Sequence, residues 1–289
     1  MNYILHILIM MSIYLILALS LNLIVGFTGL LSMCHAAFYG IGAYISTLLI
    51  MNAHIGFVPA LALAVIGAML LSLTISVPSL RLKGDYFVLA ALGFQIIVFT
   101  ILYNWIGLTR GPYGIPGIPR PAILGLEFGS LGLFLLLSAV IAAICIGLLH
   151  LIGNSPFGRV LKAIREDEMA AAALGKDIPR FKVVAFAIGA GFAAVSGSLF
   201  AGYMGYIDPT SFTLMESVFI LSIIIIGGTG NIVGPLIGTV LMILLPEILR
   251  FVRMPDAIAA NVRQIIYGLL IILIMRFRPR GLLGEYKFQ

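Results

Sequence analysis

Side chains capable of chemistry are sparse in this chain of 289 residues, which carries four histidines, two cysteines, 11 acidic and 17 basic residues. His6, His35, His54 and His150 are scattered, and none has a partner histidine at i+4, so the helical zinc spacing is absent. Cys34 and Cys145 sit inside apolar runs without metal-ligand or disulfide spacing and read as small hydrophobes. A phosphate-cradling loop needs G-x-x-x-x-G-K-[ST]. The one Gly-Lys pair, Gly175-Lys176, is followed by Asp177 and has Ala170 where the first glycine belongs. No G-x-S-x-G element occurs. Glu216 and Glu247 fall near the ends of expected helices, where charge is tolerated. The sequence therefore offers no catalytic residue, no metal site and no cofactor pattern.

Charge is concentrated instead. Residues 154–182 hold ten charged side chains: Arg159, Lys162, Arg165, Glu166, Asp167, Glu168, Lys176, Asp177, Arg180 and Lys182. Ser155-Pro156 has the form of an N-cap followed by proline at the first helical position. The helix that follows places Val160, Leu161 and Ile164 on one face and its charges on others. Asp167 and Glu168 can begin a second short helix over 169–174, ended by Gly175. A topology anchor needs only basic residues, whereas this loop adds an acidic cluster and two built helix ends. We read it as a rigid docking platform for a soluble partner.

Composition sets the surroundings of that platform. The chain is 62% hydrophobic and 10% charged, against about 45–50% and 25% in soluble domains. Lipid must be its solvent. The net charge of +6 belongs to loops of a membrane protein and does not indicate a nucleic-acid partner. At about 20 apolar residues per crossing, spans are expected at 3–25, 29–50, 57–77, 86–108, 131–152, 183–203, 215–226, 233–249 and 264–275. The first lacks the basic flank of a secretory signal and reads as a retained helix. The expected fold class is all-α, a polytopic transmembrane bundle of roughly 8–10 spans in a single domain. With 154–182 placed in the cytoplasm, that side collects 12 basic residues: Arg81, Lys83, six from the loop, Arg276, Arg278, Arg280 and Lys287. The outside collects 5, namely Arg110, Arg120, Arg250, Arg253 and Arg263. This bias puts the N-terminus outside and the C-terminus inside. The short run 215–226 decides it, because a failure there to cross would invert everything that follows. The segment 109–129 is dense in proline and glycine, so it must be irregular and lie outside the hydrocarbon or within protein.

Two similar breaks interrupt the apolar pattern, Gly26-Phe27-Thr28-Gly29 and Gly227-Gly228-Thr229-Gly230-Asn231. Transporters use such interruptions to turn free backbone groups toward a cavity.

The stretches SPFGRVLKAIREDEMAAAALGKD, LNLIVGFTGLLSMCHAAFYGIGAY, RLKGDYFVLAALGF, TRGPYGIPGIP and IIIIGGTGNIVGPLIG together resemble permease subunits of branched-chain amino acid ABC importers. RLKGDYF and the GRVLKAIREDE loop resemble the M-type of the two paralogous permeases. The resemblance implies alternating access in a bacterial or archaeal cytoplasmic membrane. It also implies a paralogous H-type permease as partner, two ATP-binding-cassette ATPases that hydrolyse the ATP, and a periplasmic or extracellular substrate-binding protein. The coupling element would comprise Gly158, Arg159, Lys162, Arg165, Glu166, Asp167, Glu168, Ala171 and Gly175. The family's Glu-Ala-Ala…Gly pattern is met only loosely, by Glu168, Ala170, Ala171 and Gly175. For the path of a zwitterion with an apolar side chain the candidates are Thr28, Ser32, His35 and Tyr39, with Tyr86 and Gln95 behind them. At a helical rise Ser32, His35 and Tyr39 would share one face. Urea and short-amide importers use similar permeases and are the alternative substrate class. A stand-alone secondary transporter would need ionisable residues well inside its spans.

Overall fold

The structure of the chain is a computed structural model that describes residues 2–79, 85–123, 125–250, 256–278 and 281–284, and side chains at these positions except 85, 248–250, 256–261, 263, 264 and 275. The basic residues Arg81, Lys83, Arg253, Arg280 and Lys287, and with them the start of the RLKGDYF element, lie outside the described residues; the side chains of Arg250 and Arg263 do as well.

A backbone in lipid must satisfy its own hydrogen bonds, which long apolar runs achieve as helices. In chain order the helices are α1 (Asn2–Thr28), α2 (His35–Ala53), α3 (Phe57–Ser79), α4 (Asp85–Asn104), the single turn α5 (Ile106–Thr109), α6 (Leu131–Asn154), α7 (Pro156–Glu166), α8 (Glu168–Ala173), α9 (Ile178–Met204), α10 (Leu214–Gly227), α11 (Val233–Arg250) and α12 (Asp256–Phe277). Among the described residues α1, α2, α3, Tyr86–Asn104 of α4, α6 and α9 are long and apolar enough to cross a membrane. Leu214–Gly227, Val233–Glu247 and Ile265–Ile274 are shorter apolar helices. The expected polytopic bundle is what forms.

α9 is its central post, packed on α1, α2 and α3. Its small residues permit this, since contact between helices in lipid comes from close packing rather than from water exclusion. At Gly197 a Cβ would run into the backbone of Tyr39 and Ala43 in α2, and at Gly42 one would strike Ala194 of α9. Ser196 Oγ donates to Ile13 O at 2.6 Å, fixing α9 against α1. Leu70, Leu89, Ile97, Leu136, Ile144 and Ile272 point outward from α3, α4, α6 and α12, on faces that hydrocarbon would cover.

The two ends of the bundle differ. One carries α7 and α8. The other carries the Pro/Gly segment, which contains a 3-10 turn at Gly111–Tyr113 and the strands β1 (Ile115–Pro116), β2 (Ala122–Ile123) and β3 (Leu126–Glu127). β1 pairs antiparallel with β4 (Tyr206–Ile207), just beyond α9, and β2 pairs with β3. The segment is thus irregular, as its composition requires, and is pinned to the far end of α9.

Candidate functional site

α1 serves as a ruler, at about 1.5 Å per residue. Tyr14 lies near its midpoint, roughly 18 Å from one end and 21 Å from the other. The Tyr14 hydroxyl donates to Glu216 Oε1 at 2.6 Å, and Glu216 stands in the first turn of α10. α10 therefore begins near mid-depth. One residue on, Ser217 Oγ accepts from Ala36 N at 2.9 Å, in the first turn of α2. Gln95 of α4 joins the two starts: Oε1 accepts from Ala37 N at 2.8 Å and from Ser217 Oγ at 3.2 Å, and Nε2 donates to Phe212 O at 2.8 Å. From this junction α10 runs toward the charged end and α2 runs away from it. The irregular leg 29–34, and the leg 205–213 with its short strand and a 3-10 turn at Pro209–Phe212, complete the two crossings. Helix starts leave N–H groups without intrahelical partners, and in a membrane interior side chains must supply them. Gln95 and Ser217 do so here.

The sequence candidates distribute around this junction. Thr28 is the last residue of α1, and its hydroxyl bonds back to Ile24 O at 2.6 Å. Ser32 lies in the leg before α2, with Oγ 3.3 Å from Cys34 Sγ. The expected three-residue helical face therefore reduces to His35 and Tyr39, because Ser32 is not on the helix. Both remaining side chains point into the protein. His35 Nε2 bonds Ser20 Oγ at 2.7 Å, and the Tyr39 ring packs on Phe200 and Phe212. Gln95 is fully enclosed, whereas Tyr86 is 69% exposed at the start of α4, away from the group.

The residue that sequence reasoning misplaced is Glu216. It was expected near a helix end at the membrane surface; it is at a helix end, but that end lies in the middle of the bundle. Glu216 lines a cleft of ≈ 580 Å³ with Tyr14, Thr213, Phe219, Ser222 and Tyr267. The signal was the length of the apolar run 215–226, which at about 1.5 Å per residue cannot span ~30 Å of hydrocarbon.

The charged platform is built as its end signals require. Ser155 Oγ accepts from Gly158 N at 3.2 Å and caps α7. Leu161 and Ile164 are buried, and Leu161 packs with Leu19, Leu23, Phe27 and Leu149. Gly158 lies so close to the Ile152 and Gly153 carbonyls that no side chain fits. Asp167 caps α8, accepting from Met169 N at 2.8 Å and Ala170 N at 3.0 Å. Ala171 is buried, and Gly175 turns the chain at φ 77°. Several charges expected on the rim are used inside the chain. Arg165 donates to Gly26 O at 2.6 Å and pairs with Glu166 at 2.6 Å. Glu168 pairs with the buried Lys182. Lys162 sits over the Phe27 ring at 5.1 Å, and Arg159 Nη1 donates to Asn154 O at 3.0 Å. The platform also turns out two large apolar side chains, Met169 at 84% and Leu174 at 78% exposure, among the exposed charges Arg159, Glu166, Asp167, Glu168, Lys176, Asp177 and Arg180.

The two glycine breaks meet beneath this platform. Asn22 Oδ1 accepts from Gly230 N at 3.0 Å, and its Nδ2 donates to Asn231 O at 2.7 Å. Leu282 N and Leu283 N donate to Ile226 O and Gly227 O, each at 3.0 Å. Gly26, which Arg165 holds, stands one turn from Asn22. Platform, first break, second break and α10 thus form one continuous chain of contacts, ending at Glu216.

A family model for the permease component of branched-chain amino acid transport systems matches residues 3–275, a range that contains the platform, both breaks and the central junction. This chain belongs to that family. The permease is 35% identical to the high-affinity branched-chain amino acid transport system permease protein LivM of Escherichia coli, over 96% of its own length and 69% of that protein's. It is 28% identical to a probable LivM of Methanocaldococcus jannaschii, over 83% of its length and 73% of that protein's. To LivH of Escherichia coli it is 25% identical, over 96% and 93%. The permease is thus more similar to LivM than to its paralogue LivH, in line with the M-type motifs. No solved structure matches it.

Proposed function

We propose that this permease is one of two paralogous membrane subunits of an ATP-driven importer, and that it carries branched-chain amino acids into the cytoplasm of a bacterium or archaeon. The observation that carries the reading is the 35% identity to a branched-chain amino acid permease over nearly the whole chain. The names of these relatives favour amino acids over urea or short amides. All 289 residues act as a single permease domain. The paralogous H-type subunit completes the pore, two ATPases dock under residues 154–182, and a substrate-binding protein docks over 109–129. The platform end faces the cytoplasm, which leaves the N-terminus outside and the C-terminus inside. The basic residues support this: the platform shares its end with the α12 C-terminus, where Arg276 and Arg278 lie, while Arg110 and Arg120 lie at the other end.

ATP binding and hydrolysis move the docked ATPases, and a short rigid helix pair transmits such motion better than a floppy tether. Arg165 ties α7 to the first break, and Asn22 ties that break to the second. A platform displacement therefore reaches α10 and the junction where α10 meets α2, opening the path alternately to either side. Thr28, Ser32, Tyr39 and Gln95 shape the walls of this region, and His35, bonded to Ser20, packs the protein there.

The test is uptake by proteoliposomes holding the permease with its paralogue, ATPases and binding protein. Labelled leucine should enter only with internal ATP, with isoleucine and valine competing and urea not. Uptake of urea in place of leucine, or leucine uptake in the absence of the ATPases, would overturn the reading.

A further inference from the structure

The charge that the coupling account leaves unused is Glu216. An ionisable side chain near the middle of a membrane bundle is costly to keep and marks a substrate or ion path by default. Among the described residues no Lys or Arg reaches ion-pair distance of its carboxylate, and the one hydrogen bond it receives comes from the Tyr14 hydroxyl. Glu216 is only partly buried, and its open side is the cleft between α10 and α12. The cleft around the carboxylate is lined by the apolar Val218 and Phe219 from α10 and Ile271 from α12, together with the hydroxyl-bearing Thr213, Ser222 and Tyr267. A single anionic group beside aliphatic and aromatic side chains suits a small ligand with a cationic head and a branched hydrocarbon tail.

Resting on the importer reading above, we propose that the Glu216 carboxylate is the site in this subunit that holds the α-ammonium group of the substrate in transit, with Tyr14 aiming the carboxylate and Phe219 and Ile271 receiving the side chain. The ammonium donates a charge-assisted hydrogen bond to the carboxylate oxygen that Tyr14 does not occupy. No proton is transferred and no bond forms or breaks. Recognition of this kind separates an amino acid from urea or a short amide, neither of which carries an ammonium.

The test uses the assembled importer in proteoliposomes, with leucine uptake normalised to assembled complex. Glu216→Gln keeps the shape and the Tyr14 contact but removes the charge. Uptake should fall about 10- to 100-fold, the range expected for losing a hydrogen bond to a charged group, with complex yield unchanged. Glu216→Asp keeps the charge and should retain more uptake than Glu216→Gln. Tyr14→Phe should give a smaller loss than Glu216→Gln. Uptake by Glu216→Gln equal to wild type would overturn this site while leaving the importer reading intact. Failure of the wild type to take up leucine would overturn both. Reduced yield in the Gln and Asp variants with normal uptake per assembled complex would make Glu216 a packing residue. Uptake driven by a pH gradient without ATP would make it a proton carrier instead. Either outcome would overturn the proposal.

Discussion

Replacing His35 with alanine would remove a ring that is enclosed on every side and bonded to Ser20 at 2.7 Å. The change leaves a void and strips Ser20 of a partner, at a cost on the order of 1–3 kcal/mol. The yield of assembled complex should therefore fall, while leucine uptake per assembled complex stays near wild type. Full yield with lost uptake would put His35 on the path after all. The same contrast marks what single residues reveal in sequence. That residues 154–182 form a charged platform was plain from composition and end signals. Which of its charges stay available was not, because the partners of Arg165 and Glu168 lie 139 and 14 positions away. Met169 and Leu174, the two ends of the second expected helix, are apolar and yet exposed.

Among the elements, hydropathy located nearly every apolar helix, since about 20 apolar residues are hard to place anywhere but in lipid. It could not set the depth at which α2 and α10 begin. That depth depends on Gln95 and Ser217 receiving the freed N–H groups, and these contacts join residues 58 and 181 positions apart. The glycine breaks were legible as breaks; that they lie against each other was not, because the bridge from Asn22 spans more than 200 residues of chain. Asn22→Ala should leave Gly230 N and Asn231 O without this partner, at about 1–3 kcal/mol for each group that stays unsatisfied. The purified chain in detergent should then show a lower Tm, with Asn22→Asp, which can accept but not donate, falling between. An unchanged Tm in Asn22→Ala would mean that the two breaks are held together by something else.

For the whole molecule, the asymmetry of the two ends carries the functional account. One end presents a Pro/Gly segment clamped to α9 by a pair of two-residue strands. The other presents two capped helices, tied down through Arg165 and Lys182, with an edge where Met169 and Leu174 stand out among exposed charges. Buried apolar anchors ringed by polar residues dominate the strength of protein interfaces. The central claim is that this edge is where the ATPases grip. The direct measurement is co-purification of the ATPase subunits with the permease carrying Met169→Asp and Leu174→Asp together. Both side chains are exposed and make no core contact, so membrane insertion and permease pairing should match wild type. The account predicts a loss of ATPase capture of about tenfold or more, as expected when two interface anchors are removed. Capture equal to wild type would contradict it.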